Sequence, residues 1–257
     1  MSEHQRLREQ YATNANLRAR IGLHERFSTS TISWPQWVFD GYAFGDDAEV
    51  LEVGCGDGMI WLENLARIPA GWRLTLTDFS SGMVDAARAA LDDRAEYAVA
   101  DVLSLPFPDA AFDAVIANHM LFHVEDRARA LGEIVRVLRP GGTFRATTIG
   151  LAHLRELREL VPPSPDSQWA KVRERFIIET AHDELAPFFV NVEIEPLPEP
   201  DALEVTEPEP LLDFVRSRGD VTEEELEPLR RAAEAEIAER GSFHVSRHSA
   251  RIRADKP

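Results

Sequence analysis

The chain has 257 residues, 44% of them hydrophobic and 28% charged, a balance that fits a soluble globular α/β domain with additions and forces no disorder. A formal net charge of -17 at pH 7, with only short basic stretches such as Arg230-Arg231 and Arg247 to Arg253, argues against a nucleic-acid partner, which is gripped by clustered cations. A single cysteine, Cys55, excludes an intrachain disulfide. The polar start MSEHQRLREQ lacks the apolar region of a signal peptide, so the expectation is a cytoplasmic protein with no membrane partner.

In chain order, residues 3 to about 25 read as a polar amphipathic helix, with Leu7, Tyr11, Leu17 and Ile21 at helical intervals. The next stretch, RFSTSTISWPQWVFD, crowds Trp34, Trp37, Val38 and Phe39 together and completes an N-terminal helical cap over 1–45. From Glu49 onward, short apolar runs alternate with helical segments, the pattern of βαβ units and a parallel sheet. Strands are expected at 50–53, 73–77, 95–100, 112–118 and 143–149, and helices at 59–67, 81–92 and 125–138, the last stopped by the RPGG of 139–142. These form a core over 46–150.

Beyond Gly150 the rhythm changes. LAHLRELREL reads as helix, VPPSPDS as loop and QWAKVRERFIIET as helix, making a helical insertion over 151–188 after the fifth strand. A strand at 189–197, helices at 208–218 and 222–240 and a last strand at 243–254 then complete the sheet over 189–257.

The stretch LEVGCGDG places Gly54, Gly56 and Gly58 straight after the first strand. Glycines there permit positive φ and close approach of a ligand to the backbone, while the following helix offers free N–H groups. Asp78, 20 residues after Gly58 at the end of the second strand, is placed to accept the two hydroxyls of a ribose; Ser80 or Ser81 caps the next helix at least as well. A dinucleotide fingerprint runs G-x-G-x-x-G, whereas this chain has G-x-G-x-G behind Glu52.

With these residues, and with TDFSSGM (77–83), ADVLSLPFPDAAFDAVIANHMLFHV (100–124) and RVLRPGG (136–142) following in order, the sequence resembles class I S-adenosylmethionine-dependent methyltransferases. The nearest likeness is to bacterial small-molecule enzymes of the ubiquinone/menaquinone-biosynthesis and natural-product types. The similarity is strong over 48–150 and loose at the flanks. It implies an α/β, Rossmann-like, seven-stranded and mostly parallel sheet with an antiparallel edge strand and helices on both faces.

It also implies S-adenosyl-L-methionine as cofactor. Gly54, Cys55, Gly56 and Gly58 would then line the methionine moiety, with Glu52 helping to hold its ammonium group. Asp78 would take the ribose, Phe79 and Met83 the faces of the adenine, and Asp101 with Val102 its amino edge. Asn118 and His119 would border the methionine end and the acceptor.

Methyl transfer from a sulfonium mainly requires alignment, and a base is needed only where the acceptor loses a proton. His119 is the first candidate, with His123 and His153 behind it, because imidazole accepts a proton near neutrality; local packing is the competing reading of each. A small-molecule acceptor is expected to meet Tyr11, His24, Trp37, His123 and His153, with Phe27, Trp34, Trp169, Arg173, Phe176 and Phe188 nearby. No metal site is expected, since the histidines lack a carboxylate pattern. Two alternatives share the cofactor: an enzyme of this fold that cyclises or cleaves S-adenosylmethionine, and a non-catalytic cofactor-binding protein. The oligomeric state is left open.

Overall fold

The computed structural model describes residues 15–164, 175–199 and 201–257, with side chains from residue 21 onward. The predicted contacts of Tyr11, Trp169 and Arg173 lie outside the described residues. Two helices, α1 (Ala15–Phe27) and α2 (Trp34–Asp40), precede β1 (Glu49–Val53). There follow α3 (Met59–Leu62), β2 (Arg73–Asp78), α4 (Ser81–Leu91), β3 (Glu96–Val99), β4 (Phe112–Asn118), α5 (Arg127–Val137) and β5 (Leu138–Ile149). The later part holds α6 (Arg155–Leu160), α7 (Ile178–Leu185), β6 (Val190–Pro196), β7 (Ala202–Val205), α8 (Glu209–Arg216), α9 (Glu223–Arg240), β8 (Phe243–Ser246) and β9 (Ser249–Asp255).

The seven-stranded sheet has the order β3-β2-β1-β4-β5-β9-β6. β1 runs parallel to both β2 and β4, and β9 runs antiparallel to both β5 and β6. The mostly parallel sheet with one antiparallel strand is as expected, but that strand stands one place inside the edge, and the edge is β6. Burial explains the order. Ala250, Ile252 and Ala254 of β9 are at most 1% exposed, which suits an inner position, whereas β6 carries no fully buried residue.

Local chemistry sets the element ends. Ser80 caps α4 by accepting from the Met83 N–H, and Asp126 caps α5 by accepting from the Arg129 N–H. The helix expected at 59–67 stops at Leu62 and resumes as a short 3₁₀ turn at Leu65–Arg67. Asn64 is responsible: its side-chain amide donates to the Ile60 and Pro35 carbonyls at 2.8 and 3.1 Å, so it competes with the helix ladder. Within the predicted helix QWAKVRERFIIET, helical structure among the described residues begins only at Ile178.

The strand expected at 243–254 is two strands. Arg247 and His248 break it, and β8 pairs with β7 in a separate two-stranded sheet. β7 itself lies in a proline- and glutamate-rich stretch that carries no strand in the sequence reading. Three apolar clusters result. One lies between α5, α7 and the sheet, and a second packs α2, α3 and α4 on the other face. The third joins α1, α6, β7, β8, α8 and α9 through Leu23, Leu157, Leu203, Phe214, Leu229 and Val245. This last unit roofs the carboxyl ends of β4 and β5.

Candidate functional site

In an open α/β sheet, ligands bind at the carboxyl ends of strands where the strand order reverses. Here that point lies between β1 and β4, and a cavity of about 830 Å³ opens there. Its lining includes Glu52, Gly54, Cys55, Gly56, Asp78, Phe79, Met83, Asp101, Val102 and Asn118 on one side, and His24, His119, His123 and His153 on the other. Of the predicted site residues with described side chains, only Gly58 and Trp37 are missing from its wall.

The turn after β1 holds Gly54 at φ +70, and a Cβ there would fall 2.8 Å from Met120 Cβ; the loop therefore presses against the chain leaving β4. Gly58, at φ +78, starts α3, and a Cβ on it would meet Leu91 Cδ1 of α4 at 2.8 Å. Gly58 thus serves the packing of two helices. Asp78 accepts from the Gly56 N–H at 3.1 Å and from the Ser80 N–H at 2.9 Å. The carboxylate expected to hold a ribose also ties the glycine loop to β2. Burial raises its pKa above the ordinary carboxylate range, against the pull of these N–H groups.

Glu52 is 2% exposed. The Trp61 indole N–H donates to its Oε2 at 2.5 Å and the Asn118 amide to its Oε1 at 2.8 Å, while the same amide nitrogen lies 2.7 Å from the Tyr42 hydroxyl. Burial pushes the Glu52 pKa up to about 7, and nearby Asp78 adds to the rise. A buried carboxylate with neutral donors only, beside an unpartnered Asn118 Oδ1, lacks a cation. Trp61 of α3 bonds Glu52 directly and Tyr42, just after α2, meets it through Asn118; sequence reasoning missed both, since nothing in their spacing announces this convergence. On the far side of the loop, Asp101 Oδ1 accepts from the Leu103 N–H at 2.9 Å, which fixes the turn carrying Val102. Cys55 is buried with its thiol pKa pushed up by burial, which disfavours the thiolate form a nucleophile needs.

His119 stands at the end of β4 in the left-handed region, φ +47. Its N–H is held by Thr147 O and Oγ1 at 3.1 and 3.0 Å, and its ring stacks on Trp34 with centroids 4.9 Å apart and planes 11° apart. Burial, with Arg247 adding, pushes its pKa down to about 4. His24 is pushed down to about 3 and His153 well below the usual range, by burial first. His24 and His153 stack at 5.8 Å. His153 Nδ1 accepts from the His248 N–H at 3.3 Å, which puts the ring proton on Nε2.

Trp37 is a correction. It is 5% exposed within the second cluster, with the Arg251 guanidinium 4.6 Å above its ring. Trp34, three positions earlier on α2, faces the cavity in its place. Phe27, Phe176 and Phe188 pack into the apolar clusters. Among the described residues, no group of three metal-ligating side chains stands together and no helix is long and apolar enough to cross a membrane.

The family model for a methyltransferase domain matches residues 51–146. The chain carries a methyltransferase domain. The demethylmenaquinone methyltransferase of Clavibacter sepedonicus is 38% identical over 95 residues, covering 36% of this chain and 38% of that protein. The 27-O-demethylrifamycin SV methyltransferase of Amycolatopsis mediterranei is 37% identical over 100 residues, covering 36% and 35%. The match thus spans from about a third to just over a half of the length of such curated relatives. In fold, the chain is similar over its whole length to 60% of a Haemonchus contortus phosphoethanolamine N-methyltransferase crystallised with S-adenosylhomocysteine, with a TM-score of 0.62 and 17% identity.

The cofactor of the methyltransferase domain is S-adenosylmethionine, and the residues present fit it. Glu52 and Asn118 Oδ1 offer acceptors to an ammonium group, and Gly54, Cys55 and Gly56 of the turn line the cavity beside them. The Asp78 carboxylate lies at the strand end where ribose hydroxyls are held, and Phe79, Met83 and Val102 supply apolar walls beside Asp101.

Proposed function

We propose that this chain is a methyltransferase acting on a small-molecule acceptor, with S-adenosylhomocysteine as product. The observation that supports this reading is one continuous cavity of about 830 Å³ that joins the Glu52–Asp78 side to the His119–Trp34 side. That volume lies near the top of the roughly 300–1,000 Å³ range of small-molecule pockets, enough for a nucleoside and a second, smaller molecule. S-adenosylmethionine, when bound, supplies an electrophilic methyl group on a sulfonium leaving group. The chain's own residues do the rest. Glu52, Asp78 and Asp101 orient, the stacked Trp34 and His119 border the acceptor, and the unpartnered Nδ1 of His119 is the atom placed to receive a proton where one must leave, as a weak base whose pKa burial holds down to about 4.

The methyltransferase names of the Clavibacter and Amycolatopsis relatives support a small organic acceptor. His24, His123 and His153 belong to the acceptor side. The acidic charge of -17 supports a protein without a nucleic-acid partner, and the lone cysteine supports a cytoplasmic location.

The test is to incubate the protein with methyl-labelled S-adenosylmethionine and fractionated small-molecule extract, then count S-adenosylhomocysteine against methylthioadenosine. Labelled methyl in an organic product with equimolar S-adenosylhomocysteine supports the reading. Methylthioadenosine, or cofactor retained without turnover in every fraction, contradicts it.

A further inference from the structure

The two sides of the cavity differ in charge. Glu52, Asp57, Asp78 and Asp101 line the side toward β1 and β2. On the acceptor side the lining carboxylates, Glu25, Glu63 and Glu125, are all exposed at the rim. The interior there is cationic and neutral: Arg247 sits among His24, His119 and His153.

Arg247 enters because the β8 to β9 break turns it under the roof formed by α1 and α8. Its side chain is 7% exposed, and Asp201, itself 6% exposed, lies 3.1 Å from its Nε. Asp201 does not line the cavity, so the carboxylate backs the guanidinium from behind. Nη1 donates to Ser28 Oγ at 2.8 Å. Among the described residues that leaves Nη2 for a ligand. Two buried atoms on the same wall, His24 Nδ1 and His119 Nδ1, have no hydrogen-bond partner among the described residues. Buried polar atoms of this kind are normally satisfied, and these two, from separate segments, share the compartment with the Arg247 guanidinium.

Resting on the function proposed above, we infer that the acceptor presents an anionic oxygen to Arg247 within the compartment of His24, His119 and His153. The group is a carboxylate or the acidic hydroxyl of a phenol or enol, carried on a partly apolar body that lies against Trp34, Phe122 and Phe214. A guanidinium receives such an oxygen through a charge-assisted hydrogen bond. An ammonium-bearing acceptor meets the guanidinium itself, because Asp201, its carboxylate partner, lies outside the cavity wall. The histidines are held neutral by burial first, with the Arg247 charge adding, so the guanidinium is the charged donor of that compartment.

The test is a calorimetric titration of the full chain, with and without saturating S-adenosylhomocysteine, using three probes of one shape: 2-naphthoate, 2-naphthol and 2-naphthylmethylamine. Naphthoate or naphthol is expected to bind saturably and at least tenfold more tightly than the amine; which of the two binds better distinguishes a carboxylate from an acidic hydroxyl. Arg247→Gln is expected to abolish the preference while leaving S-adenosylhomocysteine affinity within about twofold. Because that variant strands Asp201, the double variant Arg247→Gln/Asp201→Asn is measured beside it, and the wild-type comparison needs neither. Equal or tighter binding of the amine, no saturable binding of either oxygen probe, or a preference that survives in the double variant overturns the inference. Loss of S-adenosylhomocysteine binding alone, with the oxygen preference intact, strikes the cofactor reading and leaves this one standing.

Discussion

The indole N–H of Trp61 meets Glu52 Oε2 at 2.5 Å, and this bond joins the first helix after the glycine loop to the strand before it. It stabilises the ionised form of a carboxyl group whose burial favours the neutral form. Trp61→Phe keeps most of the buried volume and deletes the donor. The Glu52 pKa then rises further. Affinity for S-adenosylhomocysteine at pH 7 is expected to fall several-fold and to recover by pH 8.5; calorimetry at the two pH values checks this. An equal loss at both would mean that the indole acts by packing alone.

Cofactor affinity of the wild type carries a matching pH dependence. With the Glu52 pKa at about 7 before ligand binds, a cationic ammonium group prefers the deprotonated form. Affinity is expected to rise about tenfold per unit as pH climbs toward 7 and to level off above it. In Glu52→Gln the slope disappears.

The same shift has a stability consequence of opposite sign. A carboxyl group whose folded pKa lies above its unfolded value stabilises the fold at low pH, and that contribution is lost as pH rises from the unfolded value near 4.5 through about 7. By pH 8 the ionised Glu52 costs the cofactor-free protein up to about 3 kcal/mol. Glu52→Gln, without cofactor, is therefore expected to melt at a temperature no lower than wild type at pH 8, while binding S-adenosylhomocysteine at least tenfold more weakly. Thermal melts and calorimetry on one preparation read both.

The glycines divide in a testable way. Gly54 needs positive φ and has Met120 in the space of a Cβ, whereas a Cβ on Gly132 of α5 meets nothing within 4 Å. Gly54→Ala is expected to cost about 1–3 kcal/mol and most of the cofactor affinity. Gly132→Ala is expected to add about 0.5–1 kcal/mol of stability through helix propensity, with affinity unchanged. Denaturant melts distinguish the two.

What the sequence made legible was local. Gly54, Gly56 and Asp78 sit on short spacings that a strand, a turn and a helix must share, so the loop and its carboxylate can be read from the residues alone. The alternation of the five parallel strands with their helices is readable for the same reason. What is not readable depends on distant partners. Nothing in the spacing of Tyr42 and Trp61 shows that they converge around Glu52. β7 and β8 form a sheet only because Ala202 meets Ser246 and Val205 meets Phe243, pairs separated by the two helices α8 and α9. Trp34 and Trp37 share one short helix, and only its packing against the second cluster decides which indole faces the cavity. Arg247 is readable as a charge in a short basic stretch, but its burial follows from a chain reversal that the apolar pattern of 243–254 does not mark.

The proposed function rests on one nucleoside cofactor held between the glycine turn and Asp78. Titration of S-adenosylmethionine into wild type and Asp78→Ala, with NAD as the competing ligand, tests it most directly. One saturable site is expected in the wild type, with no comparable affinity for NAD and at least a tenfold loss in Asp78→Ala, which removes both a ligand acceptor and the anchor of the Gly56 N–H. Tighter binding of NAD, or an unchanged affinity in Asp78→Ala, would contradict it.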